Sequence, residues 1–216
     1  TVIGGTRYDA QSNGAIQQRF FSKYNSANST FEMTGIWTKG QTDPSYPDRG
    51  TGYNYFNGTA WGPVPTGRIE TLRTGWPLYQ LWNGGGEIVI SHQGVGTLPL
   101  IMNTRPVKGT GTWTQTTIAQ PSGAAGIMWP NMVTSGPSHN TIHMLTLTTP
   151  TAYTGGTVYQ GLDGALVYFR SFDGGQTWNK AGVILDQMTS ADYFGFSADE
   201  YAWGTPHGDT IYFIVG

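Results

Sequence analysis

Two carboxylates held roughly 5 to 10 Å apart can cleave a glycosidic bond, one as acid and the other as base or nucleophile. Here Asp199 and Glu200 are adjacent, so on a strand they point to opposite faces and cannot flank one bond. Glu70 could meet Asp199 or Asp163 only through the fold, and against that stands the commoner role of such carboxylates, capping the amides of turns. His139 and His143 have the i, i+4 spacing that puts two metal ligands on one face of a helix. In a turn and strand the same spacing spans about 13 Å, so no metal site is expected. Nor are Gly84–Gly86 and Gly109–Gly111 phosphate loops, because no helix follows them. No cofactor is expected. The aromatic residues make the strongest case for binding. Trp76, Trp129 and Tyr201 are the candidates, among a larger set that includes Tyr53, Tyr55, Tyr79, Trp82, Tyr153 and Trp203. Aromatic faces stack on the C–H faces of sugars while polar neighbours read the hydroxyls, although sheet packing consumes most aromatics.

The elements that must position these groups are strands. The chain has 216 residues, 32 of them glycine, with 13% aromatic and only 11% charged residues. Many short strands joined by tight turns produce that mixture, and a disordered chain does not. A formal charge of −2 without a like-charge block gives no footprint for nucleic acid. No apolar run has the length of a membrane-spanning helix. The absence of cysteine removes disulfides, thiolate metal sites and a thiol nucleophile.

Three markers recur in one order. Turn-plus-tryptophan units end at Trp61, Trp113 and Trp178. Trp-Pro pairs stand at Trp76-Pro77 and Trp129-Pro130. A turn leading into an apolar run occurs at 83–90, 138–145 and 207–214. Such a repeat predicts four-stranded antiparallel units near 13–63, 73–118 and 128–185, with a partial one at 192–216. The expected strands are 15–24, 30–39, 52–57 and 60–63; then 76–82, 87–92, 98–105 and 112–118; then 131–133, 141–147, 165–171 and 177–185; and finally 193–203 and 210–215. The Pro- and Asp-rich stretch 41–50 reads as an exposed loop.

Residues 171–178, Ser-Phe-Asp-Gly-Gly-Gln-Thr-Trp, explain how one of these hairpins is tied. Asp173 can accept from amides of its own turn, Gly175 and its neighbour Gly174 tolerate positive φ, Ser171 and Thr177 tie the flanks, and Trp178 plugs the base. The octapeptide matches the Asp-box pattern S-x-D-x-G-x-T-W, and the chain resembles the sialidase-like, Asp-box β-propellers. That resemblance implies an all-β propeller domain over 1–216, or a large part of one, with the box serving structure rather than catalysis. Members with sialidase activity clamp a carboxylate with three arginines and use a Tyr/Glu pair and an Asp acid/base. Their early Arg-Ile-Pro string is absent here; the nearest is Arg68-Ile69-Glu70. Arg68, Glu70 and Asp199 are thus the catalytic candidates if the chain is an exo-acting glycoside hydrolase. The favoured expectation is a non-catalytic module binding a glycan or a protein partner, with Arg68 beside Trp76, Trp129 and Tyr201.

The strings at 48–55, 73–77 and 159–166 also resemble propeller regions of Bacteroidetes surface proteins exported by the type IX system. This implies a secreted or cell-surface location, as an adhesin part or an export cargo. Three and a half units make an incomplete ring, since propellers have four to eight. Either residues 1–9 complete the last unit, or additional chain or a partner covers its last strand.

Overall fold

The computed structural model describes residues 1–11, 18–94 and 98–216, which form thirteen strands and no helix. The first sheet has the order β1 (Phe20–Asn25), β2 (Thr30–Lys39), β3 (Gly50–Phe56). The second runs β4 (Gly75–Trp82), β5 (Gly86–His92), β6 (Leu100–Arg105), β7 (Thr114–Ile118). The third repeats that meander with β8 (Ile127–Ser135), β9 (Thr141–Thr148), β10 (Leu166–Ser171) and β11 (Lys180–Ile184). A last pair, β12 (Tyr201–Trp203) and β13 (Phe213–Val215), completes the list. The turns are tight because their residues accept left-handed backbone: between β4 and β5, Asn83 has φ 48° and Gly84 φ 77°.

Each sheet packs on its neighbour through one or two of its strands. β2 lies on β4, β4 and β5 lie on β8, and β8 meets β12. The second strands of the two complete sheets, β5 and β9, are almost wholly buried, which is why they read as continuous rather than alternating apolar runs. The main core lies between the second, third and last sheets, around Ile88, Ile90, Met132, Ile142 and Phe169. A smaller one, Ile36, Tyr79 and Val89, joins the first sheet to the second.

Several boundaries differ from expectation, each for a hydrogen-bonding reason. In the first sheet the fourth strand at 60–63 shrinks to a bridge between Phe56 and Trp61. There Asn57 Oδ1 takes the amides of Thr59 and Ala60, both at 3.0 Å, into a side-chain turn. Of the strand expected at 15–24, residues 15–17 lie outside the described residues. In the last unit, residues 193–200 are irregular loop and a turn rather than strand, because their backbone bonds go to another loop: Asp163 N–H donates to Phe194 O and Phe196 N–H to Gly164 O, each at 2.9 Å.

Residues 1–9 do not complete the last sheet. Arg7 N–H donates to Gly40 O at 2.8 Å, and the Asn54 amide donates to Ile3 O at 2.7 Å. Ile36 faces the second sheet, so by alternation Gly35 and Trp37 face away from it. Ile3 and Gly4 lie against those two residues and so cover the outer face of the first sheet.

The 171–178 hairpin joins β10 to β11 and is closed by its own side chains. Asp173 accepts from Thr177 N–H at 2.8 Å and Thr177 Oγ1–H at 2.6 Å, and Ser171 Oγ lies 2.7 Å from Asp173. These bonds, those from Thr177 foremost, hold the Asp173 carboxyl down at about 2. The turn also docks on the second sheet: Trp82 Nε1–H donates to Gly174 O at 2.9 Å, and a methyl at Gly175 would come within 2.8 Å of Met102. Asp173→Ala is therefore expected to lower the melting temperature and leave ligand binding by the folded protein unchanged. Because the folded pKa is depressed, the stabilisation is complete above about pH 4, the unfolded value, and fades as pH falls toward 2. A variant with unaltered melting but lost binding would overturn this assignment.

Candidate functional site

The leading strands β4 and β8 begin alike. In each, a bulge opens before the regular ladder, between Gly75 and Leu78 and between Met128 and Asn131. The residue at each bulge is the tryptophan before proline, and both tryptophans have φ 50°. A bulky residue in left-handed backbone costs on the order of 1–2 kcal/mol, so two at equivalent positions mark a maintained feature. The bulge turns the two indoles to one end of the assembly, opposite the end where the 171–178 hairpin meets Trp82.

Between them stands His92, at the end of β5, paired with Gly75. Its ring centroid is 4.9 Å from that of Trp76 and 6.1 Å from that of Trp129. Tyr8 extends the row beyond Trp76 at 6.3 Å and Tyr46 lies a further 5.2 Å on, while Tyr153 extends it beyond Trp129 at 5.2 Å. Six rings thus cross the ends of three sheets. His92 Nδ1 accepts from Trp129 N–H at 3.0 Å, so in the neutral ring the proton sits on Nε2, which is sealed from solvent and finds no partner among the described residues. Burial, reinforced by Arg49 and Arg73, pushes this imidazole down to about 3, leaving it neutral at physiological pH.

Two arginines brace the row. Arg49 is buried and donates to Thr74 O at 2.9 Å and to the Tyr8 hydroxyl at 3.1 Å. Its guanidinium carbon lies 5.1 Å from the Trp76 ring centroid, a cation–π distance that fixes the indole. Arg73 is exposed and donates to Tyr46 O at 2.9 Å and Ser45 O at 3.2 Å. Among the described residues neither meets a carboxylate within ion-pair distance. At the other end, Trp129 and Tyr153 line a cleft of about 250 Å³ together with Phe196, Ser197 and Asp199.

The candidates from the sequence are dispersed. Trp76 and Trp129 come together through His92. Tyr201 is 2% exposed, and its hydroxyl donates to Trp129 O, so it supports the row from beneath. Arg68 spends its guanidinium on four backbone carbonyls, those of Pro47, Arg49, Glu70 and Thr71. Glu70 is buried and accepts from Thr51 N–H at 2.8 Å, from Thr51 Oγ1–H and from Ser91 Oγ–H at 3.1 Å, tying the first sheet to the second. Asp199 alone of the three is exposed, at the Trp129–Tyr153 cleft. Asp163 accepts from Thr151 N–H and Oγ1–H, a turn-capping role.

A larger cavity of about 660 Å³ opens where the leading strands converge, touching Phe21, Gln80, Val133 and Thr205 from all four units. Ser135 on its wall lies 3.2 Å from His143 Nε2, whose Nδ1 is 2.6 Å from the Tyr168 hydroxyl. The spacing is that of a nucleophile and base, but no carboxylate among the described residues orients the imidazole. Burial first, then Arg170, holds His143 near 4. The three side chains cross-link β8, β9 and β10. His139 instead meets Thr134 Oγ1 at 3.3 Å, and no cluster of three metal-ligating side chains occurs among the described residues.

No family model matches this chain, and no curated protein matches it. Among solved structures, one similar chain is Bacteroides ovatus xyloglucan PUL GH43B, at 15% sequence identity and a TM-score of 0.45. The match covers 87% of this chain and 35% of that one, so this chain spans about a third of its length.

Proposed function

We propose that this chain is an Asp-box β-propeller module, secreted or displayed at a cell surface, that binds a glycan without cleaving it. The binding face is the aromatic row from Tyr8 to Tyr153. The observation that carries the reading is the pair of left-handed tryptophans, Trp76 and Trp129, set on either side of a buried neutral His92. Strained backbone at two equivalent positions has no packing purpose that a glycine would not serve better. It does set two half-buried indoles on either side of one ring, and the exposed Asp199, Ser197 and Arg73 stand at hand for hydroxyls.

The rival reading, an exo-acting hydrolase of sialidase type, needs a free arginine clamp and a placed carboxylate pair. Arg68 is committed to the carbonyls of Pro47, Arg49, Glu70 and Thr71, and Glu70 to holding the first and second sheets together. Purified protein is therefore expected to leave a fluorogenic sialoside intact. It is expected to show saturable quenching of tryptophan fluorescence with at least one member of an array of neutral, sulfated and sialylated oligosaccharides. Sialoside turnover lost in Arg68→Ala would establish the hydrolase; no binding across the array would remove the glycan reading.

A further inference from the structure

We infer that the cleft at the Trp129 end of the row seats a protonated amine, so that the glycan bound there carries a hexosamine with a free amino group. The inference rests on the row being a glycan-binding face and narrows its ligand. At that end the planes of Trp129 and Tyr153 cross at 74°, with ring centroids 5.2 Å apart. Two ring planes set nearly at right angles make a corner where one small cation meets the negative faces of both. Phe196, only 6% exposed, lines the same cleft, and Pro150 adds to its apolar wall. At about 250 Å³ the cleft is smaller than the roughly 300 Å³ at which pockets for larger ligands begin, so it takes one end group rather than a length of chain.

Charge selects the kind of group. Three carboxylates stand around the cleft, and two are committed to its own loops. Asp163 accepts from Thr151 N–H at 2.7 Å and Thr151 Oγ1–H at 2.6 Å, which fixes the turn that carries Tyr153. Glu200 accepts from Ser197 N–H at 2.7 Å, which fixes the segment beside Phe196. Asp199 is the third. It is exposed in the cleft and forms no ion pair among the described residues, and none of the described lysines, arginines and histidines lines the cleft. Its charge is felt beneath the row: burial first, then Asp199, pushes the Tyr201 phenol up. A sulfate or carboxylate would meet like charge here, and a neutral sugar would offer Asp199 hydroxyls alone. An ammonium group meets the ring faces and the carboxylate at once. On a sugar, that group occupies the corner while neighbouring residues of the glycan continue along the row to Trp76. A lysine side chain would fill the corner and leave the row empty.

The test titrates the tryptophan fluorescence of the full chain with a glucosamine tetrasaccharide bearing free amines and with its N-acetylated form, at a mildly acidic pH that keeps the amines charged. The free-amine form is expected to bind at least about tenfold more tightly. Asp199→Asn is expected to bring the ratio of the two affinities close to one. Asp209→Asn removes the same charge at the larger cavity and is expected to preserve the ratio. Equal affinity for the two forms, or a ratio that Asp199→Asn leaves intact, would overturn the amine seat and leave the row standing. So would a trilysine peptide that binds as tightly as the free-amine tetrasaccharide. Binding of neither tetrasaccharide, while an oligosaccharide of the array still binds, would likewise overturn the seat alone; no binding by any of them would remove the row as well.

Discussion

Glu87→Ala is expected to destabilise the protein by about 3–5 kcal/mol, the cost of leaving one partner of a buried ion pair alone. The Glu87 carboxylate is fully buried on β5. It pairs with Arg105 Nε and accepts from Tyr53 Oη–H at 2.9 Å and from Gly109 N–H at 3.0 Å. Arg105 is held between the rings of Tyr53 and Trp113, at 4.6 and 4.4 Å, and its Nη2 already lacks a partner among the described residues. Without Glu87 the guanidinium keeps its desolvation cost and loses its counter-charge, and the Tyr53 hydroxyl loses its acceptor between the first and second sheets. Glu87→Met combined with Arg105→Met removes both buried charges and is expected to recover most of the loss. Urea unfolding of the three variants checks this. A loss below about 1 kcal/mol for Glu87→Ala would mean that the pair is hydrated and structurally idle.

That pair marks where reading the sequence stops. The hairpin at 171–178 was legible because the side-chain bonds that close it lie between Ser171 and Thr177, and residue order alone determines them. The all-β class and the four-stranded meanders were legible too, since tight turns and apolar runs recur in one order. Glu87 and Arg105 become neighbours only through the β5–β6 register, which no spacing along the chain reveals. The same holds for the site. Trp76 and Trp129 stood out through their shared Trp-Pro step, but His92 joins them only because β5 ends opposite Gly75. Arg68 drew attention by its place in a near-match to a known string, yet Arg49 and Arg73 flank the row. What separates them is where their donors point, a property of the 41–50 loop and of the segment leading into β4. Tyr201 lies beneath the row for the related reason that a short strand buries one face completely.

Replacing Trp129 by glycine is expected to separate the fold from the binding face more sharply than any other change. The backbone at this position serves the structure through its N–H to His92 and its carbonyl to Tyr201, and both bonds survive any side chain. The indole serves the row. At φ 50° a glycine relieves the left-handed strain that an alanine retains. Trp129→Gly should therefore be about 1 kcal/mol more stable than Trp129→Ala, although alanine is the better residue in ordinary strand backbone. Both variants should bind the array-identified oligosaccharide at least about tenfold more weakly, the loss of a stacked tryptophan near the centre of a contact. The equivalent pair at Trp76 should behave alike, with Arg49 then losing one of its two ring partners and keeping Tyr8. Equal stability of the glycine and alanine variants would mean that the tryptophan backbone is not left-handed. Undiminished affinity in both would move the binding face away from the row, whatever their stabilities.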